Sequence, residues 1–432
     1  MKKKKVAFKT FGCKLNFSET STISKKFPSD KYEIVDFKEE ADIYVVHTCT
    51  VTAIAEKKSR AAIRQAHRRN SNAKIAVMGC YSQLSSEELM KINGVNLVLG
   101  NNEKYNIVEY VKSIEEDPVH ADVISLQAIR QTNEFHHSYS FGDRTRSFLK
   151  VQDGCDYFCS YCTIPFARGK SRSDTIANTI EKAKEIAKTD IKEIILTGVN
   201  IGDFGKENNE SFLSLIKEFD KVEGIDRYRI SSIEPELLSE EIIKFVSSSD
   251  KILPHFHIPL QGGTNKILKA MKRKYSVELF ASRISFIKSI MPQACIAVDF
   301  IVGFPGETDK DFQDACNFIE SIDISYLHVF SFSERPGTLA YNMDNKISKQ
   351  KIKERSKILH EISEKKKMKF YKQNINSNSE VLFESAKHNG IMFGFTENYI
   401  KVKTVFDKNL INKIVVAKLK EIDENGIVAV EI

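Results

Sequence analysis

No stretch of this chain approaches the roughly 18 consecutive apolar residues that a membrane-spanning helix requires, so no span is expected. Lys2 to Lys5 precede an apolar stretch in the manner of a secretory leader. Lys9 interrupts that stretch, however, and no small-residue cleavage site follows. Cysteine is too sparse for a secreted disulfide scaffold, with eight in 432 residues, and six of the eight fall into two placed sets. That distribution points to metal ligation in a reducing compartment, and a cytoplasmic protein is expected. At 41% hydrophobic and 28% charged, the chain is an ordinary globular sequence long enough for two or three domains.

The formal net charge of +7 is concentrated. Lys346 to Gln373, which reads as helical, holds eleven Lys or Arg against three Glu, a surplus of eight, so the remainder of the chain is close to neutral. A basic segment of this kind suits a polyanion such as nucleic acid, or else forms a solvated helix face.

The loop Gly154 to Gly169 reads G-C-D-Y-F-C-S-Y-C-T-I-P-F-A-R-G and follows a strand-like run at Ser147 to Val151. Cys155, Cys159 and Cys162 stand at C-x3-C-x2-C spacing, and a tight loop lets three such thiolates converge on one corner of a small iron–sulfur cube. With no fourth ligand nearby, one iron would stay open to a small molecule, whereas structural zinc is normally closed by four protein ligands. A zinc loop completed by a distant His136 or His137, or three unrelated buried thiols, are the alternatives.

A second set lies in residues 1–125. Three short apolar runs, Lys5 to Thr10, Ala41 to His47 and Lys74 to Met78, are each followed by a helix-compatible stretch, the pattern of an open parallel α/β sheet. Each run leads into a cysteine: Cys13, Cys49 and Cys80. Parallel strands end on one edge of their sheet, so these thiols are expected in a single crevice, with Gly12 and Gly79 permitting tight turns beside two of them. Cys49 and Cys80 as plain core residues is the bland alternative. Arg60, Arg64 and Arg68 form one basic stripe on a helix that could face phosphate or water. Residues 115–140, with Pro118, read as a linker holding one strand at Val123 to Leu126.

From about 141 to 371, six strand-like runs alternate with helical ones, the pattern of a partial (β/α)6 barrel with its site at the strands' carboxyl ends. Four consecutive ends carry polar or Gly-rich pieces: Thr197 to Gly202, Ser231 to Pro235, His257 to Gly263 and Val302 to Thr308. There Asn200, Ser231, Glu234 and Gln261 offer hydrogen bonds, and the glycines allow close backbone approach to a ligand. Cys295 and Cys316 read as core thiols. Residues 374–432 show five short alternating runs separated by Asn-Gly turns, which suits a small all-β barrel of the oligonucleotide-binding kind. Phe393, Phe395 and Tyr399 there would stack on unpaired bases or fill the barrel.

These motifs resemble the radical S-adenosylmethionine (SAM) enzymes, and among them the methylthiotransferases. G-C-D-Y-F-C-S-Y-C-T-I-P-F-A-R-G is similar to their cluster loop, and T-F-G-C-K-L-N, H-T-C-T-V-T and M-G-C-Y are similar to their amino-terminal domain. Gly394 to Val402 resembles a TRAM domain, an RNA-binding module. The resemblance implies two 4Fe-4S clusters, one on Cys155, Cys159 and Cys162 that binds SAM, and an auxiliary one on Cys13, Cys49 and Cys80 that holds the sulfur to be inserted. It places Thr197, Gly198 and Asn200 near the SAM amino group, Gly303 and Glu307 in the adenine-side glycine motif, and Arg273 near substrate or SAM. Ser231, Glu234 and Gln261 complete the expected SAM contacts, and Phe395 and Tyr399 the expected RNA contacts. It also implies tRNA and an external one-electron reductant as partners. No side-chain acid or base is expected, because the target is an aromatic C–H bond with no acidic proton. Within the family, G-C-K-L-N and G-V-N-I-G-D-F-G most resemble the branch acting on N6-threonylcarbamoyladenosine beside the anticodon. The branches acting on isopentenyladenosine or on a ribosomal-protein aspartate remain alternatives. So does, from another class, a non-catalytic iron–sulfur protein that binds RNA or senses redox state.

Overall fold

The computed structural model describes residues 2–116, 123–129, 132, 134–141 and 145–432; Pro118 of the expected linker lies outside them. The chain divides into two compact units. The first comprises residues 1–141 together with 153–172 and 333–341, and the second comprises 142–152, 173–332 and 342–432.

The first unit is built on six parallel strands: β1 (Lys4–Thr10), β2 (Tyr32–Val35), β3 (Ile43–Thr48), β4 (Lys74–Gly79), β5 (Val95–Leu99) and β6 (Val123–Ser125). Their order is β2-β1-β3-β4-β5-β6. The central strands β3 and β4 are buried almost end to end, which is why their middles, Ile43 to Val46 and Ile75 to Met78, are apolar without polar alternation. Ala7, Tyr44, Val46, Ile75 and Val77 face one apolar layer, while Val6, Ile43, Val45, Ala76 and Met78 face the other. Successive residues of a strand point to opposite faces, so both faces of the sheet are covered. The helix Ala53–Arg69 is capped by Thr52, whose side chain accepts from Ala55 N. On it Arg60 donates to the Tyr81 hydroxyl at 2.5 Å, whereas Arg64 and Arg68 are exposed.

The second unit contains β7 (Arg146–Lys150), β8 (Glu193–Thr197), β9 (Arg227–Ile230), β10 (His255–Gln261), β11 (Cys295–Val302) and β12 (Tyr326–Ser331). They form two three-stranded parallel sheets, β7-β8-β9 and β10-β11-β12, joined by a parallel bridge between Ser232 and His257. This is the six-stranded partial barrel read from the sequence. The helices that return the chain begin at Thr or Ser caps: Thr175, Ser211, Ser239, Thr264, Ser276 and Thr308 each accept a backbone N–H in the first turn.

A 26-residue helix, Lys349–Asn374, leads into β13 (Asn378–His388), β14 (Ile391–Thr396), β15 (Lys401–Val405), β16 (Ile414–Ile422) and β17 (Val428–Glu431). These close into a barrel in the order β13-β14-β15-β17-β16, as expected of a TRAM domain. Its interior holds Val381, Phe383, Met392, Val402, Ala417, Leu419 and Val428, with Cys295 and Phe370 in the same apolar cluster. Asn389 and Gly390 both adopt positive φ at the tip of the first hairpin, the conformation that an Asn-Gly pair tolerates best.

Candidate active site

Both thiol trios belong to the first unit. Cys13 follows β1, Cys49 follows β3 and Cys80 follows β4, three neighbouring parallel strands, so the trio gathers on one edge of the sheet. The thiols feel one another electrostatically: Cys80 and Cys13 both act on Cys49, and Cys80 acts on Cys13. Burial pushes Cys49 up to about 12. Burial also raises Cys13, against the pull of the Arg168 cation. Cys13 is nonetheless exposed to solvent. Gly12 packs against Cys49: a Cβ there would fall 2.8 Å from the Cys49 Cβ and 2.9 Å from its Sγ, at a φ of +101°. Three free thiols that act on one another electrostatically at neighbouring strand ends, with a cation beside them, are a donor set that fits an iron–sulfur cluster.

The second trio sits on a closed loop. Asp153 and Arg172 exchange backbone hydrogen bonds of 2.9 and 2.8 Å across its neck, and Cys155 N donates to Gly169 O at 3.0 Å. Gly154 is required there, since a Cβ would lie 1.8 Å from the Lys170 carbonyl oxygen. Within the loop, Cys162 N donates to Cys159 O at 3.0 Å and Tyr157 N to Cys155 Sγ at 3.4 Å.

Arg168, from the I-P-F-A-R-G end of this loop, is 1% exposed and is the hub of a charge network that the sequence did not announce. It donates to Glu19 Oε1 and Oε2 at 3.1 and 3.0 Å, to Asp153 Oδ1 at 2.9 Å and to Asn16 Oδ1 at 2.7 Å. Glu19 also accepts from Lys104 Nζ at 2.6 Å and from the Tyr105 hydroxyl at 3.0 Å. Arg172 adds a second cation on Asp153 at 3.1 Å. Asn101 Nδ2 reaches both Cys80 Sγ at 3.7 Å and the Ala167 carbonyl at 2.7 Å. Asn16 and Glu19 lie three and six residues beyond Cys13, so this network holds the auxiliary thiols and the cluster loop in one frame.

In the second unit, the expected SAM contacts lie at the ends of β8 to β11. Gln152 Oε1 accepts from Val199 N and Asn200 N at 2.9 and 2.7 Å, and Asn200 Nδ2 donates to Asp203 at 2.7 Å. Thr197 is buried, its carbonyl accepting from Val151 N. Gly198 passes so close to Gln152 that a Cβ would lie 2.8 Å from its carbonyl oxygen. Asn200 Oδ1 and Ser231 Oγ are buried without hydrogen-bond partners. So are both carboxylate oxygens of Glu236, a residue that sequence reading passed over although it stands two positions after Glu234. Unmet acceptors and donors at neighbouring strand ends fit a polar ligand with an amine and a ribose, as SAM has.

Other expected ligands are engaged within the protein. Arg273 and Glu234, assigned respectively to substrate and cofactor, are ion-paired with each other, and Arg273 also meets the Tyr275 hydroxyl at 3.1 Å. Burial raises the Glu234 carboxyl and Arg273 opposes that shift. Gln261 has a left-handed φ of 62° at a bulge pinned by the Tyr275 hydroxyl on the Pro259 and Leu260 carbonyls. Glu307 accepts from Gly303 N at 3.0 Å and from Arg355 Nη1 at 2.5 Å, so it ties the Val302 to Thr308 loop to the long helix. Phe395 and Tyr399 stack on each other with ring centres 4.8 Å apart, Arg146 lying 4.6 Å over Phe395 and Arg229 4.6 Å over Tyr399. Their rings join the small barrel to β7 and β9. Cys295 and Cys316 are buried, and burial pushes each thiol up to about 11.

Comparison with known proteins agrees with this geometry. Residues 149–319 match the radical SAM superfamily and residues 5–100 match an uncharacterized protein family, UPF0004. The threonylcarbamoyladenosine tRNA methylthiotransferase MtaB of Bacillus subtilis is 39% identical over 420 residues, 96% of this chain and 93% of that one. The chain belongs to the radical SAM methylthiotransferases. A tRNA-2-methylthio-N(6)-dimethylallyladenosine synthase of Alkaliphilus oremlandii is 33% identical over 433 residues, covering 97% of this chain and 91% of that one. Among solved structures, the radical SAM methyltransferase TsrM from Kitasatospora setae shares the fold, with a TM-score of 0.57 at 14% identity over 79% of this chain and 77% of that one. As a radical SAM methylthiotransferase the protein is a transferase that uses SAM and two 4Fe-4S clusters, and Cys155, Cys159 and Cys162 on one side and Cys13, Cys49 and Cys80 on the other are its candidate ligand sets. No helix among the described residues is long and apolar enough to cross a membrane.

Proposed function

We propose that this protein converts N6-threonylcarbamoyladenosine at tRNA position 37 to its 2-methylthio derivative, drawing electrons from an external one-electron reductant in the cytoplasm. The observation that carries the reading is the union of both thiol trios in one compact unit, tied by Arg168 and Asn101. Inserting sulfur at an unactivated aromatic carbon requires a radical source and a sulfur source within reach of one base, and the placement of both trios in one unit supports that reading. The substrate follows from similarity, since the B. subtilis relative named for threonylcarbamoyladenosine is the more similar of the two branches compared.

Cys155, Cys159 and Cys162 would hold a cluster that would supply one-electron reduction of SAM, and Cys13, Cys49 and Cys80 would hold one that would supply sulfur. The protein's part is positioning. Asn200, Ser231 and Glu236 offer SAM polar atoms that find no hydrogen-bond partner among the described residues. The buried Glu19, Arg168 and Asp153 network excludes water from beneath both trios and fixes their spacing. The exposed lysines of the helix Lys349–Asn374, among them Lys353, Lys357, Lys365 and Lys369, offer phosphate contacts to tRNA.

Nucleoside mass analysis of tRNA from a deletion strain tests the substrate. Loss of the methylthio group from threonylcarbamoyladenosine alone is expected. Its loss from isopentenyladenosine instead would assign the protein to the other branch.

A further inference from the structure

His257 on β10, Asp299 on β11 and His328 on β12 stand side by side on three hydrogen-bonded parallel strands of the second unit. Asp299 is directly opposite His328 in the β11–β12 register, and one residue pair separates His257 from that level in the β10–β11 register. One ligand atom from each lies within 4.8 Å of the other two. His257 Nε2 and Asp299 Oδ1 are 2.7 Å apart, and the two imidazole rings are 5.1 Å apart. None of the three is fully buried, His328 being exposed, so an ion from solution can reach them. All three belong to the second unit, whereas both thiol trios belong to the first.

We infer that His257, Asp299 and His328 form a site for a single divalent transition-metal ion, of the zinc or ferrous class. Two imidazoles and one carboxylate are a donor set that such ions favour, and three protein ligands leave further positions for water or an anionic oxygen. Metal–ligand bonds of about 2.0–2.2 Å bring donor atoms to roughly 3–3.5 Å from one another. Rotation of exposed His328 covers that difference without moving the strands. The backbone is already fixed: β11 is hydrogen-bonded on both sides, and the His328 ring is braced by the edge of Tyr326 at 5.3 Å. A site on three paired strands is pre-organised in a way that three loop residues are not.

The test uses the full chain with both clusters reconstituted, washed with chelator and dialysed anaerobically against zinc chloride. One zinc per chain above the iron content is expected. Asp299→Asn and His328→Phe should each lower retained zinc at least tenfold with iron content unchanged. Zinc retained equally by both variants would place it elsewhere and overturn the site. Zinc-edge absorption on the unmodified protein gives a readout independent of any variant: nitrogen and oxygen neighbours are expected. Sulfur neighbours, or no retained zinc, would overturn the inference, leaving a plain His–Asp hydrogen bond.

Discussion

Arg168 and Glu19, 149 positions apart, meet through two hydrogen bonds of 3.1 and 3.0 Å where neither side chain touches solvent. One residue closes the cluster loop and the other lies on the helix that starts after Cys13, so this pair links the segments that carry the two thiol trios. Removing one partner of a buried pair leaves the other charge uncompensated, which typically costs about 3–5 kcal/mol. Arg168→Ala is therefore expected to lower the urea midpoint strongly and to reduce iron uptake at both trios. An unchanged midpoint would show that the network is not what holds the loop. Arg168→Lys keeps the charge but loses the fork that spans Glu19, Asp153 and Asn16, and should fall between the two.

Substitution of the cysteines separates the two trios. Alanine at Cys13, Cys49 or Cys80 should remove about half of the bound iron and abolish methylthiolation, while reductive cleavage of SAM continues. Alanine at Cys155, Cys159 or Cys162 should abolish 5'-deoxyadenosine formation altogether. Iron analysis and product chromatography on the same preparations decide this. SAM cleavage surviving in the second group would reassign the trios.

Much of this arrangement was legible in the sequence, because the relevant signals are local or periodic. Runs such as Ile43–Thr48 and Lys74–Gly79 are mostly apolar because both faces of their sheet are covered, and each leads directly into its cysteine. The strands Glu193–Thr197, Cys295–Val302 and Ile391–Thr396 fall where alternation and turn residues put them. What stayed hidden is the partnering of charges. Glu19, Lys104 and Arg168 look like surface residues in a one-dimensional reading, since nothing local distinguishes a buried ion pair from a solvated one. Phe395 and Tyr399 carry the composition of a base-stacking platform, but Arg146 and Arg229, more than 160 residues away, take up their faces. His257, Asp299 and His328 are spread over 72 positions and converge only because three strands are paired.

The foot of the second unit provides a pH test. Glu193 on β8 is fully buried and gripped by Arg229 through contacts of 3.0 and 3.2 Å. Burial pushes its carboxyl upward, but Arg229, Arg146 and Arg227 together outweigh that and hold it below the usual carboxylate range. A carboxyl whose folded value is depressed stabilises the protein above its unfolded value, about 4.3, and that contribution disappears as the pH falls through the folded value. Glu193→Gln should thus destabilise the protein at neutral pH and flatten the acid limb of its stability profile. Parallel acid limbs for variant and parent would show that Glu193 does not titrate with unfolding.

Gly12 offers the sharpest separation between the trios. Its φ of +101° is one that L side chains rarely adopt, and an added Cβ would lie 2.8 and 2.9 Å from the Cys49 Cβ and Sγ. Those atoms cannot retreat freely, because Cys49 ends a buried central strand whose neighbour Thr48 donates to the Met78 carbonyl at 2.8 Å. The methyl must displace either the Cys49 thiol or the turn that carries Cys13, and each movement spoils one of three ligands. Gly12→Ala is expected to behave like a cysteine variant of the auxiliary trio: iron falls by about half, 5'-deoxyadenosine still forms, and methylthiolated nucleoside does not. Gly390→Ala, where a Cβ would meet nothing within 4 Å at a similarly positive φ, is the matched control for backbone strain alone. It should lose about 1 kcal/mol of stability and keep all its iron. Full iron retention in Gly12→Ala would mean that Cys49 is not held against that turn.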